Sequence, residues 1–443
     1  MTYRSPHATR RSHRRPAALL LAAALAAPLA AGCGSTGATT PAAPPVIRVS
    51  ASAGRPAVDP AQVAATAAGT DAFGLDLLHT LTAEPDAAGR NLVLSPSGLA
   101  TLLAMLLPGA RGTTADELAK ALHTGLTPQQ YALATGALDR SAPADDDVTL
   151  RQSDDLWTQQ GFAVQPDYLQ TLADAFDTGV HPADFRADPE NARKAVNAAV
   201  EKATEGRIKD LFAQGQISTE TRMVLTDALY LKAKWASPFK PEHTADRPFH
   251  KLDGSAPNVS TMAQSGSLKY AEGSGGIVGE PWQAVELPYT GGGLAMDVIV
   301  PAQGGFAAFS KGLDQAQLDR ILGGLAPRPV DLELPRFHFD TSKELTTTLR
   351  ALGVNTAFDR NADFGGMSKE ALTIGTVVQK ATIEVDEEGT VAAAGSGAGM
   401  AGAAAPAPRP AQLHVDRPFL FLIRDTSSGR PLFLGQVTDP QAR

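Results

Sequence analysis

The chain has 443 residues, 43% hydrophobic and 19% charged, which is enough apolar material for a large buried core and excludes disorder for most of it. Its formal net charge of −8, from 39 basic and 47 acidic residues, excludes the broadly basic surface that nucleic acid requires. The single cysteine, Cys33, excludes an internal disulfide framework, and nine histidines with no His-Glu-x-x-His run offer no ready-made zinc site.

The first segment reads as an export signal. Arg10, Arg11, Arg14 and Arg15 form a basic start with no acid beside them, and Ala17 to Ala31 is an apolar run. That run is too short to span a bilayer comfortably and fits a secretory core. It closes in Leu29-Ala30-Ala31-Gly32-Cys33, which resembles a bacterial lipobox with Leu29 one position early. Cleavage before Cys33 would make it the lipidated first residue. Ordinary secretion at an Ala-x-Ala site would leave it an idle thiol. Loss of residues 1–32 removes five arginines and no acid, taking the formal charge from −8 to −13. Residues 33–59 are rich in Ala, Pro, Thr, Gly and Ser and read as a flexible tether.

The folded part starts near Pro60. Phe73, Leu77, Leu78 and Leu81 recur at helical spacing. Asn91 to Leu94 predicts a short buried strand, and Leu99 to Leu107 an apolar helix stopped by Pro108-Gly109. Thr113 and Thr114 predict the cap of another helix. The acid-rich stretch 141–147 reads as a solvated loop, because no calcium-loop spacing accompanies it. Val148 to Trp157 predicts a strand, Asp188 to Glu205 a helix, and Met223 to Trp235 a long strand. Val285 to Tyr289 and Met296 to Val300 predict paired strands about a Gly-rich turn. Val330 to Phe339 alternates as one strand, Thr376 to Val385 follows, and Phe419 to Ile423 and Leu432 to Val437 close the chain. Helices early and strands late predict an α+β fold with antiparallel or mixed sheets.

Several blocks, in order, resemble the serpin family. They are Asn91-Leu92-Val93-Leu94-Ser95-Pro96, Gly109-Ala110-Arg111-Gly112-Thr113-Thr114, Thr204-Glu205-Gly206-Arg207-Ile208, and Leu229-Tyr230-Leu231-Lys232-Ala233-Lys234-Trp235. Later come Ala362-Asp363-Phe364-Gly365-Gly366-Met367, Glu387-Glu388-Gly389-Thr390 and Val415-Asp416-Arg417-Pro418-Phe419. The resemblance covers about residues 70–440. It implies one α+β domain over 60–443, with three β-sheets, eight or nine helices and an exposed reactive-centre loop at about 387–412. That replaces the two or three domains that length alone suggests.

The loop has a physical reading of its own. Residues 391–408 carry no charge, and 391–405 are almost all Ala and Gly. Such a stretch would serve as a linker, but here it lies between strands of one domain. In extended form, Thr390, Ala392, Ala394, Ser396, Ala398 and Met400 share one face, and Val391, Ala393 and the glycines share the other. Both faces are small enough to enter a sheet buried on two sides. Pro406 and Pro408 cannot donate to a central ladder, so the insertable part ends before them. The family's spacing, counted from Gly389, puts the scissile bond at Ala403–Ala404, and a slip of one or two residues would put Gly402, Ala404 or Ala405 before the cut instead. A small apolar residue there suits an elastase-like or subtilisin-like protease. Arg409, the trypsin-like alternative, would carry two prolines into the sheet.

Behind the loop, the resemblance implies three groups of residues. The hinge is Glu387, Gly389, Thr390, Ala392, Ala393 and Ala394. The breach is Trp235, Arg336 and Glu387, with Arg suited to a bidentate carboxylate contact. The shutter is Ser95, Gly98, Asp227 and Gln379, where relatives commonly carry Ser, Ser, Asn and His. A Gln amide can still donate to the Asp227 carboxylate.

The resulting expectation is an exported suicide-substrate inhibitor of serine proteases, a monomer with no cofactor, metal or catalytic residue of its own. The alternative is a non-inhibitory serpin that binds or chaperones. A secreted serine hydrolase is excluded by the absence of a Gly-x-Ser-x-Gly elbow.

Overall fold

Residues 46–49, 56–84, 89–141, 147–274, 281–390 and 409–442 are described by a computed structural model. Cys33 and the stretch 391–408, with Ala392, Ala393, Ala394, Ala403 and Ala404, lie outside the described residues.

Local chemistry sets the helix starts. α1 (Pro60–Thr82) begins with proline at its first position and the Asp59 carboxylate accepting from Ala61 N–H. It buries Phe73, Leu77, Leu78 and Leu81, the predicted face. β1 (Leu92–Leu94) leads into α2 (Pro96–Leu106), in which every residue is buried. A helix with no polar face can only sit at the centre of a domain. α3 (Gly112–Ala121) starts one residue earlier than Thr113 predicts. The expected threonine cap does not form, because Arg111 takes the N-cap position and both threonines fall inside the first turn; the Thr114 hydroxyl accepts from Asp363 N–H, 3.0 Å away. α4 (Pro128–Arg140) carries a capping box of Thr127 and Gln130. The remaining helices are α5 (Pro166–Phe176), α6 (Pro189–Ala203), α7 (Phe306–Gly312), α8 (Gln315–Gly323) and α9 (Thr346–Ala351), giving nine α-helices among the described residues.

The strands between and after them are β2 (Val148–Gln159), β3 (His181–Ala183), β4 (Met223–Lys234), β5 (Ala245–Pro248), β6 (Asn258–Gly273), β7 (Trp282–Pro288) and β8 (Leu294–Pro301). Then come β9 (Ala326–Pro335), β10 (Phe337–Glu344), β11 (Thr376–Val385), β12 (Gly389–Thr390), β13 (Ala411–His414), β14 (Phe419–Asp425) and β15 (Pro431–Val437). One sheet has six strands in the order β10-β11-β12-β4-β2-β3. The other has nine, in the order β1-β15-β14-β8-β7-β6-β9-β13, with β5 on β6. The long β6 pairs with β9 over Thr261–Tyr270 and with β7 over Lys269–Gly273, so two of the three expected sheets run into one another through it. Trp235, Phe337, Phe419 and Phe421 belong to the buried cluster that these strands enclose. A buried side chain of this size contributes about 1.5–3 kcal/mol by area removed from water.

Two expectations are corrected. The run Val330 to Phe339 is two strands in different sheets, because Pro335 ends β9 and Phe337 begins β10. The residues between them mark the crossing. Val330, Leu332 and Leu334 are buried on even positions, Phe337 and Phe339 on odd ones, and exposed Arg336 lies at the change of phase. The stretch 33–59 is not a free tether throughout. Ile47 exchanges backbone hydrogen bonds with Val180 at 2.8 and 3.1 Å, and Ile47 and Val49 pack on the core. Gly179 permits this approach, since a Cβ there would lie 2.0 Å from the Ile47 carbonyl oxygen.

Candidate functional site

β4 and β11 are the strands on which the site is built. They pair in parallel from Val224↔Thr376 to Tyr230↔Thr382. Beyond that point the two-residue β12 lies between them, antiparallel to both, with Thr390 opposite Val385 and Ala233, and Gly389 opposite Lys234. The pair is thus zipped at one end and wedged at the other. Thr390 is the last described residue of β12, and the description resumes at Arg409, before β13 joins the other sheet beside β9. Any continuation of β12 along its own direction must replace the β4–β11 pairs one at a time.

The wedge is held by a tight turn. Asp386 Oδ1 accepts from Glu388 N–H at 2.9 Å and from Gly389 N–H at 3.2 Å. Asp386 N–H donates to the Gly389 carbonyl at 3.0 Å. Glycine is required at 389, because a Cβ would lie 2.0 Å from the Ala233 carbonyl oxygen. Trp235 binds this turn twice, through Nε1–H to the Asp386 carbonyl at 3.0 Å and through its backbone N–H to the Glu388 carbonyl at 2.8 Å. Its indole stacks on the Tyr289 ring, with centroids 4.6 Å apart and planes 10° from parallel. Tyr289 Oη lies 2.7 Å from Thr390 Oγ1. Burial pushes the Tyr289 phenol up, so it stays neutral and serves as a hydrogen-bonding group.

Glu387 points away from the wedge into an ion pair. Arg336 Nε donates to Glu387 Oε1 at 2.7 Å, and the Thr244 hydroxyl donates to the same oxygen. Burial works to raise this carboxyl, but the Thr244 hydroxyl and the Arg336 guanidinium outweigh it and hold Glu387 below the ordinary carboxylate range. The structure therefore brings Trp235, Arg336, Glu387, Gly389 and Thr390 to one end of the β4–β11 gap.

Ser95, Gly98, Asp227 and Gln379 gather at the zipped end. Gln379 is the register partner of Asp227 across β11 and β4. Its Nε2 donates to Asp227 Oδ2 and, at 2.8 Å, to the Ser95 carbonyl. Its Oε1 accepts from Ser95 N–H at 3.1 Å. One side chain thus ties β11 to β4 and both to the start of α2. The Ser95 hydroxyl caps α2 by accepting from Gly98 N–H at 3.1 Å. A Cβ on Gly98 would lie 2.3 Å from Asp227 Oδ1, so the carboxylate occupies the space that a side chain would need.

Sequence reasoning missed Tyr289, Thr244 and Asp386. Tyr289 was legible only as the end of a strand, and Thr244 lies in a polar stretch with no periodicity. Asp386-Glu387-Glu388-Gly389 did carry a turn signal. Among the described residues, no group of three or more His, Cys, Asp or Glu side chains is placed to hold a metal ion.

Comparison with known proteins gives the same answer from an independent direction. Residues 68–440 match the family profile described as serpin, serine protease inhibitor. The chain is 34% identical to an uncharacterised serpin-like protein of Thermococcus kodakarensis, over 84% of this chain and 85% of that one. It is also 34% identical to the leukocyte elastase inhibitor of Bos taurus, over 83% of this chain and 97% of that one. Among solved structures, Serpin48 of the insect Tenebrio molitor superposes with a TM-score of 0.74 at 28% identity, covering 84% of this chain and 98% of that one. With the sheet, the gap and the wedged hinge in place, the chain belongs to the serpin family.

Proposed function

We propose that this protein is an inhibitory serpin that traps a serine protease by acting as its suicide substrate. The observation that carries the reading is the position of Gly389 and Thr390, seated between β4 and β11 at the head of a gap whose strands pair directly below. The residues that follow, 391–405, are uncharged and mostly Ala and Gly, which suits entry into a strand slot buried on both faces. The protease serine attacks the scissile carbonyl, the peptide bond breaks, and the new amino terminus leaves with the distal part of the loop. The chain from Thr390 onward then zips into the gap with the acylated protease attached, ahead of hydrolysis.

Counting the family's spacing from Gly389 points to the bond Ala403–Ala404, and the small side chains there favour an elastase-like or subtilisin-like target. Incubation with an elastase, a subtilisin and trypsin tests this. The first two should give adducts that survive boiling in detergent, with the cut mapped by intact mass between Gly402 and Ala405. A dominant cut at Arg409 would refute the target class. Cleavage without any adduct would favour a non-inhibitory binding role. The Arg-rich leader and Cys33 support export to the cell surface as a lipoprotein, which lipid labelling tests.

A further inference from the structure

Asp154 on β2 lies directly opposite Asp227 on β4 in the antiparallel register. The two carboxyls face one another within hydrogen-bonding reach. Among the described residues, no other residue donates to Asp154 Oδ1 or Asp227 Oδ1, both atoms are buried, and each carboxyl's other oxygen accepts from an amide, Gln152 for Asp154 and Gln379 for Asp227. Two bare carboxylates in that position repel, whereas one retained proton turns the contact into an O–H···O⁻ bond. Burial, then the neighbouring Asp227 charge, pushes Asp154 well above its ordinary value, and burial pushes Asp227 up to about 7. The pair therefore keeps one proton between its two carboxyls.

The other groups packed around the pair do not replace that proton. From α4, Asp139 faces it, with Arg140 beside it. From the turn before β15, Arg430 pairs with Asp139 and reaches Gln152 Oε1 at 3.3 Å. From α2 come Ser95, Gly98 and Thr101, none of them charged, and from β11 comes Gln379. On the other face of β2, His181 pairs with Asp155 at 3.2 Å. A cavity of about 790 Å³ lined by Asp139, Gln152, Asp154 and Lys202 gives the proton a route to solvent.

We propose that Asp154 and Asp227 share one proton behind the shutter, that Asp154 thereby positions Asp227 against Gln379, and that loss of the proton eases the parting of β4 from β11. This rests on the insertion reading above, because Asp227 and Gln379 sit on the two strands that must separate. The closed sheet holds a proton that a hydrated, opened gap would release. By linkage, raising the pH through neutrality penalises the closed state, and acidification keeps it shut.

The test uses the intact protein, its Asp154→Asn and Asp227→Asn variants, and a synthetic peptide matching residues 390–403. In the wild type, annealing of the peptide should accelerate about tenfold between about pH 6 and about pH 8, and in both variants by less than about twofold. A protonated-carboxyl infrared band at neutral pH should be weaker by one carboxyl in Asp154→Asn than in the wild type, over the background that Asp71 gives to both. Equal pH slopes in all three proteins overturn the proposal. If the peptide anneals at no pH, the insertion reading fails by itself and thermal melting decides the pair. The wild-type midpoint must then fall more from about pH 6 to about pH 8 than the variants' midpoints, and parallel falls overturn the pair. The difference between proteins is what counts, since buried Asp71 and Asp297, raised to about 7 and about 6, give all three a common slope.

Discussion

Thr390 and Tyr289 meet hydroxyl to hydroxyl at 2.7 Å, with both residues buried. The first residue of the segment proposed to insert is thus already packed inside the sheet, on a ring stacked against Trp235. The wedge is a bonded structure as well as a geometric one.

Removing either hydroxyl alone leaves the other buried without its partner. Tyr289→Phe and Thr390→Val should each destabilise by about 1–2 kcal/mol. The double variant should cost less than the sum, because no orphaned group remains. Thermal melting of all four proteins measures the coupling. Strict additivity would show that the hydroxyls do not interact.

Two glycines are fixed by contact. Gly389→Ala drives a Cβ toward the Ala233 carbonyl, and Gly98→Ala drives one into the Asp227 carboxylate. Each should cost about 1–3 kcal/mol and lower Tm by several degrees. Gly389→Ala should also push β12 out of the gap, read as faster cleavage of the loop base by a non-target protease. An unchanged Tm in both would mean that the close approaches are not tight.

The Glu387 ion pair predicts an acid dependence. Its carboxyl is lowered in the fold, so the stability it contributes is present above the unfolded value and is lost as pH falls through the folded one. Glu387→Gln should melt below the wild type at neutral pH, and the two midpoints should converge in acid. A constant gap from neutral to acid pH would contradict this. Arg336→Ala should show the same convergence, because it leaves the buried Glu387 carboxylate without its cation until acid protonates it.

Lipidation of Cys33 has a separate test. Palmitate labelling of the wild type should be strong and of Cys33→Ser absent, with the variant released from membranes. Two or more acyl chains hold a protein firmly where one does not. Equal label in both proteins would rule the anchor out.

Much of this architecture was legible in the chain, and the gaps have physical causes. α1 follows from its periodic buried face, and α2, β4, β7 and β8 from apolar runs bounded by stop signals. The break at Pro335–Arg336 was readable in principle from the change of phase between Leu334 and Phe337. Strict alternation on both sides hid it. Ile47 looked like tether because a single bridge to Val180 leaves no periodic trace. Gln379 and Asp227 could be paired by chemistry once a family frame placed them together. Asp154 could not, since its partner across the sheet is set by strand register, which residue spacing does not encode.

The central claim is that the chain beginning at Thr390 enters the sheet faster than the acyl-enzyme hydrolyses. Thr390→Arg tests it most directly. It would carry an unpartnered charge into the slot now holding a buried hydroxyl, at a cost of several kcal/mol, while leaving the Ala403–Ala404 bond untouched. The measurement is the stoichiometry of elastase inhibition, with adduct and cleaved product quantified on a denaturing gel. The account predicts near-equimolar inhibition with a stable adduct for the wild type, and cleavage without adduct for Thr390→Arg. Unchanged stoichiometry in the variant would contradict insertion from this hinge.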